Sequence, residues 1–158
     1  MTLTPPATER NVSSETVRQT VIVAADPVTI LDIVADLEAY PEWQPDIKDV
    51  EILGVGDDGR ARHARFEASA IGLTASFEVE YRYTEDAVRW QLVDSDLLTR
   101  NDGSYVVVDL GDGTAEVAYE LDVDTSMPVP GFMQRQIANR IVSSALQGLK
   151  RRAEARNG

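Results

Sequence analysis

Residues 132 to 155 read FMQRQIANRIVSSALQGLKRRAEA, and they form the longest segment of the chain with a helical pattern of apolar residues. The spacing predicts one long helix over 132–155 with a single apolar stripe. Basic residues crowd its carboxyl end, where positive charge interacts favourably with the helix dipole. A helix with one apolar stripe needs a surface to cover, and the rest of the chain must supply it. The stripe comprises Phe132, Met133, Ile137, Ile141, Val142, Ala145, Leu146 and Leu149.

The surface that this helix covers is predicted by a period-two pattern that begins after Pro45. Apolar and polar residues alternate in each segment, and Gly- and Asp-rich turns separate the segments. Strands that are apolar on one face only are typical of an antiparallel sheet with one wet face. Six strands are predicted near residues 47–55, 60–70, 74–84, 87–94, 98–109 and 114–124.

A strand and two short helices are predicted ahead of this sheet. The strand spans 16–25, and Asp26-Pro27 follows it as a helix-start signal, because proline at the first helical position loses an N–H that has no partner there. The first helix spans 27–36, and a second spans 38–43 around Pro41.

Two aromatic residues flank Pro41 in this second short helix. Tyr40 and Trp43 are interpreted first as packing against the sheet edge, and direct ligand contact is the alternative.

Composition excludes several classes of function. The chain has 158 residues, a formal net charge of −12, no cysteine and one histidine. Nucleic acid is therefore not an expected partner, since phosphate binding needs a basic surface. Disulfides, zinc–thiolate sites and multi-histidine metal sites are excluded, and no cofactor or metal is predicted. No apolar run spans a bilayer, so stable membrane insertion is not expected, and the cytoplasm is the default location.

The predicted order is therefore a strand, two short helices, six strands and one long helix. Residues 15–156 are expected to form one α+β domain, and residues 1–14 a flexible N-terminal tail. A curved seven-stranded antiparallel sheet wrapped around the C-terminal helix leaves a space between the two layers. That space is either filled by side chains or hollow.

This order of elements resembles the helix-grip fold of the START-like (SRPBCC) superfamily, and most closely its bacterial polyketide cyclase/dehydrase group. The resemblance covers roughly residues 15 to 155. The residues that carry it are Asp26-Pro27-Val28, Tyr40-Pro41-Glu42-Trp43-Gln44-Pro45, Trp90, Gly113-Thr114, and Pro128 ahead of a helix that contains LKRRAE.

The resemblance implies a deep apolar cavity between the sheet and the long helix. Members of the superfamily bind lipids, steroids, quinones or polyketides, and some catalyse cyclisation or dehydration. The family has no universal catalytic residues, so none is carried over and the catalytic residues stay unknown. The expected partner is a hydrophobic small molecule.

The cavity-facing residues are predicted from strand parity and from the helix stripe. The polar candidates for orienting a ligand are Arg100 and Asn101, although a bend or bulge ahead of Gly103 explains these two polar residues equally well. The apolar and aromatic candidates are Phe66, Phe77, Val79, Tyr81, Tyr83, Trp90, Leu92, Tyr119, Leu121, Met133, Ile137 and Ile141.

Two further residues stand out. His63 is a candidate general base by residue type, but its parity with Arg65 and Glu67 predicts that it faces solvent. Gly148 lies inside the long helix, where glycine costs about 1 kcal/mol relative to alanine. A close approach of the helix to the sheet is the expected reason.

Three functions are compatible with these features. The first is a carrier or sensor that binds a lipid, quinone or polyketide-like ligand. The second is a polyketide or aromatic cyclase or dehydrase that acts in the same cavity. The third is a protein-interaction module that uses the acidic surface. A homodimer is possible through the edge of the sheet or the end of the long helix.

Overall fold

The computed structural model describes residues 15–70 and 72–157, so the tail predicted over residues 1–14 lies outside the described residues. Every predicted helix and strand is present, and each end lies within two residues of its predicted position. The elements are β1 (Glu15–Val23), α1 (Pro27–Ala35), a 3-10 helix (Leu37–Glu42), β2 (Ile47–Val55), β3 (Ala61–Ala70), β4 (Leu73–Tyr83), β5 (Ala87–Ser95), β6 (Leu98–Asp109), β7 (Ala115–Thr125) and α2 (Gly131–Asn157).

The seven strands form one antiparallel sheet in the order β1-β7-β6-β5-β4-β3-β2. Strands β2 to β7 make a meander, because each pairs with the next along the chain, and β1 pairs with β7 at the far edge. The long helix α2 covers the concave face of the sheet. This arrangement confirms the predicted helix-grip fold.

The connection between β1 and β2 begins as the sequence predicts. The Asp26 carboxylate accepts a hydrogen bond from the backbone N–H of Thr29 at 3.5 Å, and Pro27 is the first helical residue. The second short helix is a 3-10 helix with Pro41 inside it. Its tighter turn ends at Trp43 and directs the chain into β2.

Helix α2 lies close to the rest of the molecule because small residues alternate with large ones along its buried stripe. The best buried of these are Ala138, Val142, Ala145, Leu149 and Ala153, each at most 1% exposed. Alanine at three of these positions lets the helix axis approach the sheet, and the larger side chains fill the gaps between.

Gly148 marks the closest approach of α2, but its partner is not the predicted one. The sequence suggested the sheet, whereas Gly148 lies against the backbone carbonyl of Trp43, just after the 3-10 helix. A β-carbon at position 148 would overlap the oxygen of that carbonyl. Trp43 therefore lies against the long helix.

Polar contacts hold the carboxyl half of α2 at the same end of the molecule. Arg152 donates to the carboxylate of Glu42 at 2.7 Å, which ties α2 to the 3-10 helix. The ammonium group of Lys150 donates to the carbonyl of Ile22 at 2.8 Å. The Glu154 carboxylate accepts from the backbone N–H of Ala24 at 2.9 Å. These contacts link α2 to the end of β1.

We expect Gly148→Ala to lower the free energy of unfolding by about 1–3 kcal/mol, because the overlap with the Trp43 carbonyl outweighs the gain in helix propensity. Urea denaturation followed by circular dichroism measures it. Gly131→Ala is the matched control, since an added β-carbon at position 131 meets no atom within 4 Å. Equal stability of the two variants would contradict the proposed contact.

Candidate ligand cavity

A cavity of about 150 Å³ lies between the concave face of the sheet and the amino-terminal half of α2. Its walls are mostly aliphatic and aromatic. Ten of the residues predicted from the sequence line it. They are Phe66, Phe77, Val79, Tyr81, Trp90, Asn101, Tyr119, Leu121, Ile137 and Ile141.

Two of the predicted residues, the aromatic Tyr83 and the aliphatic Leu92, lie beside the cavity rather than in its wall. The Tyr83 hydroxyl donates to the carbonyl of Ala61 at 2.5 Å, so this phenol is held at the edge of the sheet. The backbone N–H of Leu92 donates to the Asp102 carboxylate at 3.1 Å, in a part of β5 that is no longer paired with β6. The separation of these two strands moves Leu92 away from the cavity.

Two other predicted residues face solvent. Arg100 lies on the outer face of the sheet, with its guanidinium 3.6 Å from Asp102 and 3.8 Å from Asp122. Arg100 precedes the inward-facing Asn101, and successive residues of a strand face opposite sides, which explains this orientation. Met133 is 39% exposed, because it lies in the first turn of α2, ahead of the stripe residues that line the cavity.

The pairing of β6 with β7 shifts register between Leu98 and Arg100, so an irregularity ahead of Gly103 is present, as the sequence allowed. Arg100 faces out, whereas Asn101 faces the cavity, where its side-chain oxygen accepts from the indole N–H of Trp90 at 3.2 Å. Gly103 lies directly under the Trp90 ring, and a β-carbon there would overlap that ring.

Aromatic rings form a continuous band along the concave face. The ring centroids of Trp90 and Tyr105 are 5.6 Å apart, and those of Tyr105 and Tyr119 are 4.5 Å apart. Tyr81 extends the band, with its ring centroid 5.7 Å from that of Trp90. Such a band offers both apolar area and hydroxyl groups to a ligand.

Several lining residues escaped the sequence reasoning. Tyr105 lines the cavity, and its shared parity with Asn101 was a usable signal. Tyr40, for which ligand contact was the alternative interpretation, also lines the cavity. Small side chains create part of the space, notably Ala70 and Ala75. No sequence pattern indicated Asp46 as a lining residue. It follows Pro45 in an irregular segment, where side-chain directions do not alternate regularly.

Two polar groups in the cavity wall are buried without a hydrogen-bond partner. One is the Tyr105 hydroxyl, in a residue that is 1% exposed, and the other is the Oδ2 atom of Asp46, in a residue that is 8% exposed. Buried polar atoms are nearly always satisfied in native proteins. The hydroxyl of Tyr40, in contrast, donates to the carbonyl of Val34 at 2.5 Å.

The buried phenols are neutral. Burial raises the pKa of Tyr40, Tyr81 and Tyr105 well above the usual value of 10.0, and the proximity of other tyrosines adds to the effect. Burial also raises the pKa of Tyr119, with a smaller effect from the charge of Asp46. A neutral phenol without a partner, such as Tyr105, can donate a hydrogen bond to a ligand.

Side chains of the amino-terminal half of α2 contact the sheet and the cavity wall. The Gln134 amide donates to the Asp124 carboxylate at 2.6 Å and to the Val123 carbonyl at 3.4 Å. The amide of Gln19 reaches Asn139 at 3.3 Å, and the Arg140 guanidinium lies 3.9 Å from the Asp46 carboxylate. Phe132, in the first turn, is 65% exposed.

The histidine lies outside the cavity, and the described residues contain no metal cluster. The Nε2 atom of His63 lies 3.1 Å from the Glu78 carboxylate on the outer face, as its parity predicted. Within residues 15–70 and 72–157, no group of three or more histidine, cysteine or acidic side chains is placed to hold a metal ion. No helix in the same ranges is long and apolar enough to cross a membrane.

The fold and the apolar cavity define a helix-grip protein. The family model described as "Polyketide cyclase / dehydrase and lipid transport" matches residues 14–154. The chain belongs to this family, which confirms the resemblance seen in the sequence. No protein with a curated description matches the chain.

Solved structures give the same result. A START superfamily protein from Mycobacterium smegmatis is 32% identical, with a TM-score of 0.82 over 89% of this chain and 97% of that one. The ZhuI aromatase/cyclase from Streptomyces sp. R1128 has a TM-score of 0.80 at 17% identity, over 90% and 95% of the two chains. A protein from Thermus thermophilus has a TM-score of 0.76 at 21% identity, over 90% and 99%. The last two comparisons support the fold alone.

We expect stability to fall steeply above pH 10. An unfolded tyrosine loses its proton near pH 10, while Tyr40, Tyr81 and Tyr105 keep theirs in the fold, so ionisation stabilises the unfolded state first. Each such phenol lowers the free energy of unfolding by about 1.4 kcal/mol per pH unit. Urea denaturation at several pH values, with phenolate absorbance recorded in parallel, measures the slope.

Tyr105→Phe removes one buried phenol and should reduce that slope by about 1.4 kcal/mol per pH unit. Ionisation of the three phenols near pH 10 in a protein that stays folded would show that they are not held neutral by burial.

Proposed function

We propose that the chain binds a small hydrophobic ligand between the sheet and α2, as a carrier or a sensor. One observation carries this proposal: an apolar cavity contains the hydroxyl of Tyr105, buried and without a hydrogen-bond partner. A solid core would leave neither a space of this size nor an unsatisfied hydroxyl inside it, because native interiors are close-packed and buried polar groups are paired.

The size of the cavity limits the ligand in the closed state. A volume of about 150 Å³ suits a single aromatic ring, whereas drug-sized ligands occupy pockets of about 300–1,000 Å³. A longer lipid, quinone or polyketide therefore requires α2 to move. We infer that the amino-terminal half of α2 moves and forms the entrance, since its first turn is exposed at Phe132 whereas the carboxyl half is fixed by Gly148, Lys150 and Arg152.

A cyclase or dehydrase is the second candidate, and one feature favours it. The Asp46 carboxylate is buried in the same cavity as several neutral phenols, so a base and hydrogen-bond donors surround one apolar space. A carboxylate base and a neutral donor are the minimum that enolisation and dehydration of a polyketide chain require. Turnover of a model polyketide that Asp46→Asn leaves unchanged would argue against this role.

Native mass spectrometry of the freshly purified protein, followed by organic extraction, tests the first proposal directly. A co-purifying apolar molecule supports it and identifies the ligand. The complementary test is calorimetric titration with 1-naphthol, whose two rings and single hydroxyl match the aromatic walls and Tyr105. Absence of any bound mass, together with no naphthol binding, would overturn the proposal.

We expect Ala75→Phe to weaken 1-naphthol binding by at least about tenfold. The added ring occupies the cavity, so the ligand buries less apolar area, and this loss reduces the binding free energy by more than about 1.4 kcal/mol. Isothermal titration calorimetry measures the dissociation constants. Thr74→Phe is the matched control, since Thr74 is the neighbouring residue of β4 and is exposed on the opposite face. Equal weakening by both variants would contradict binding at this site.

We expect Gln134→Ala to accelerate ligand release severalfold, because it removes the hydrogen bonds from α2 to Asp124 and Val123. Stopped-flow fluorescence with preloaded 1-naphthol measures the dissociation rate. Gln136→Ala, an exposed position on the same helix, should leave the rate unchanged. An unchanged rate in Gln134→Ala would place the entrance elsewhere.

A further inference from the structure

The cavity wall carries negative charge and no positive charge. Its ionisable acids are Asp46 and Asp124, and none of the described lining residues is lysine, arginine or histidine. Fatty acids and other carboxylates bind most favourably where a cation or a cluster of N–H donors meets them. This wall therefore differs from a site built for an anionic headgroup.

Most of the other polar groups in the wall already have partners. The Asp124 carboxylate accepts from Gln134 at 2.6 Å and from the backbone N–H of Thr125 at 2.9 Å. The side-chain oxygen of Asn101 accepts from Trp90 at 3.2 Å. A ligand gains little by competing with these bonds.

Among the wall residues, Asp46 and Tyr105 each have a buried side-chain oxygen without a hydrogen-bond partner. The Oδ1 atom of Asp46 lies 3.9 Å from the guanidinium of Arg140, whose side chain is 56% exposed, and the backbone carbonyl of Asp46 accepts from Ser69 at 2.8 Å. Oδ2 has no donor, and neither has the Tyr105 hydroxyl a partner. The wall thus presents one carboxylate oxygen that only accepts and one hydroxyl that donates or accepts.

These two groups favour one kind of headgroup. A ligand hydroxyl donates to Asp46 and still accepts from a phenol such as Tyr105, so it satisfies a buried charge at no electrostatic cost. A ligand carboxylate brings a second negative charge beside Asp46 in a medium of low dielectric constant, where like charges repel strongly. Removal of the Asp46 charge should therefore have a larger effect on the preference for neutral over anionic ligands than on the affinity for uncharged ligands.

We propose that the cavity selects neutral ligands that carry a hydroxyl or phenol over carboxylates such as fatty acids, and that Asp46 is the residue that sets this selectivity. The inference rests on the proposed binding function. It assigns the ligand class by chemistry: an aromatic or aliphatic body of about one ring in the closed state, or larger once α2 moves, with an O–H group directed at Asp46.

The test compares three probes with nearly the same body: 1-naphthol, 1-naphthoate and 1-methylnaphthalene. The wild-type protein should bind naphthol at least about tenfold more tightly than naphthoate at neutral pH, since a hydrogen bond to a charged group and the avoided repulsion act together. Methylnaphthalene should lie between them, because it has neither the donor nor the charge.

Asp46→Asn should reduce the naphthol-to-naphthoate preference at least about tenfold, mainly by improving naphthoate binding. The isosteric amide keeps the shape of the side chain, and its backbone bond with Ser69 is unaffected. Asp49→Asn is the matched control, because it removes the same charge at an exposed position three residues further on, and it should leave the preference unchanged.

If Asp46→Asn does not fold, the wild-type preference and Tyr105→Phe decide. Tyr105→Phe should weaken naphthol binding severalfold and leave methylnaphthalene binding unchanged. Equal binding of naphthol and naphthoate, or a preference that Asp46→Asn does not alter, overturns the selectivity while the binding function stands. Failure of all three probes to bind overturns both.

Discussion

The contact between Gly148 and the Trp43 carbonyl fixes the position of the long helix. Glycine at position 148 lets α2 lie against the segment that joins the 3-10 helix to β2. Any other residue type at this position would hold the helix further from that segment. The pair Arg152–Glu42 reinforces the same junction at 2.7 Å. One end of α2 is therefore clamped, and the direction of the rest of the helix across the sheet follows from that clamp.

This clamp explains why the cavity lies where it does. The sheet curves away from the helix beyond the clamped end, and the stripe there is completed by Ile137 and Ile141, which are only half-buried. Small residues opposite them, such as Ala75, leave the remaining gap unfilled. A helix clamped at one end, with an exposed first turn at the other, is the arrangement on which the proposed opening for a larger ligand depends.

The same junction determines the chemistry of the cavity. Asp46 follows Trp43 by three residues, so the segment that receives α2 also places a carboxylate in the cavity wall. The aromatic band supplies neutral phenols on the facing strands, because burial raises the pKa of Tyr105 and Tyr119 and holds both in the protonated form. An acceptor and donors thus meet across an apolar space, and this arrangement serves selective binding as well as acid–base chemistry.

The sequence by itself determined the fold, since hydrophobic periods of 3.6 and 2 and the Asp26-Pro27 signal are local properties. Parity within strands also predicted lining residues such as Phe66 and Trp90. Only the tertiary structure decided which residues fall inside the cavity: an irregular segment carried Asp46 inward, and the position of α2 left Met133 39% exposed. Bulges, helix position and the partner of Gly148 arise from contacts between distant segments, and no local pattern encodes them.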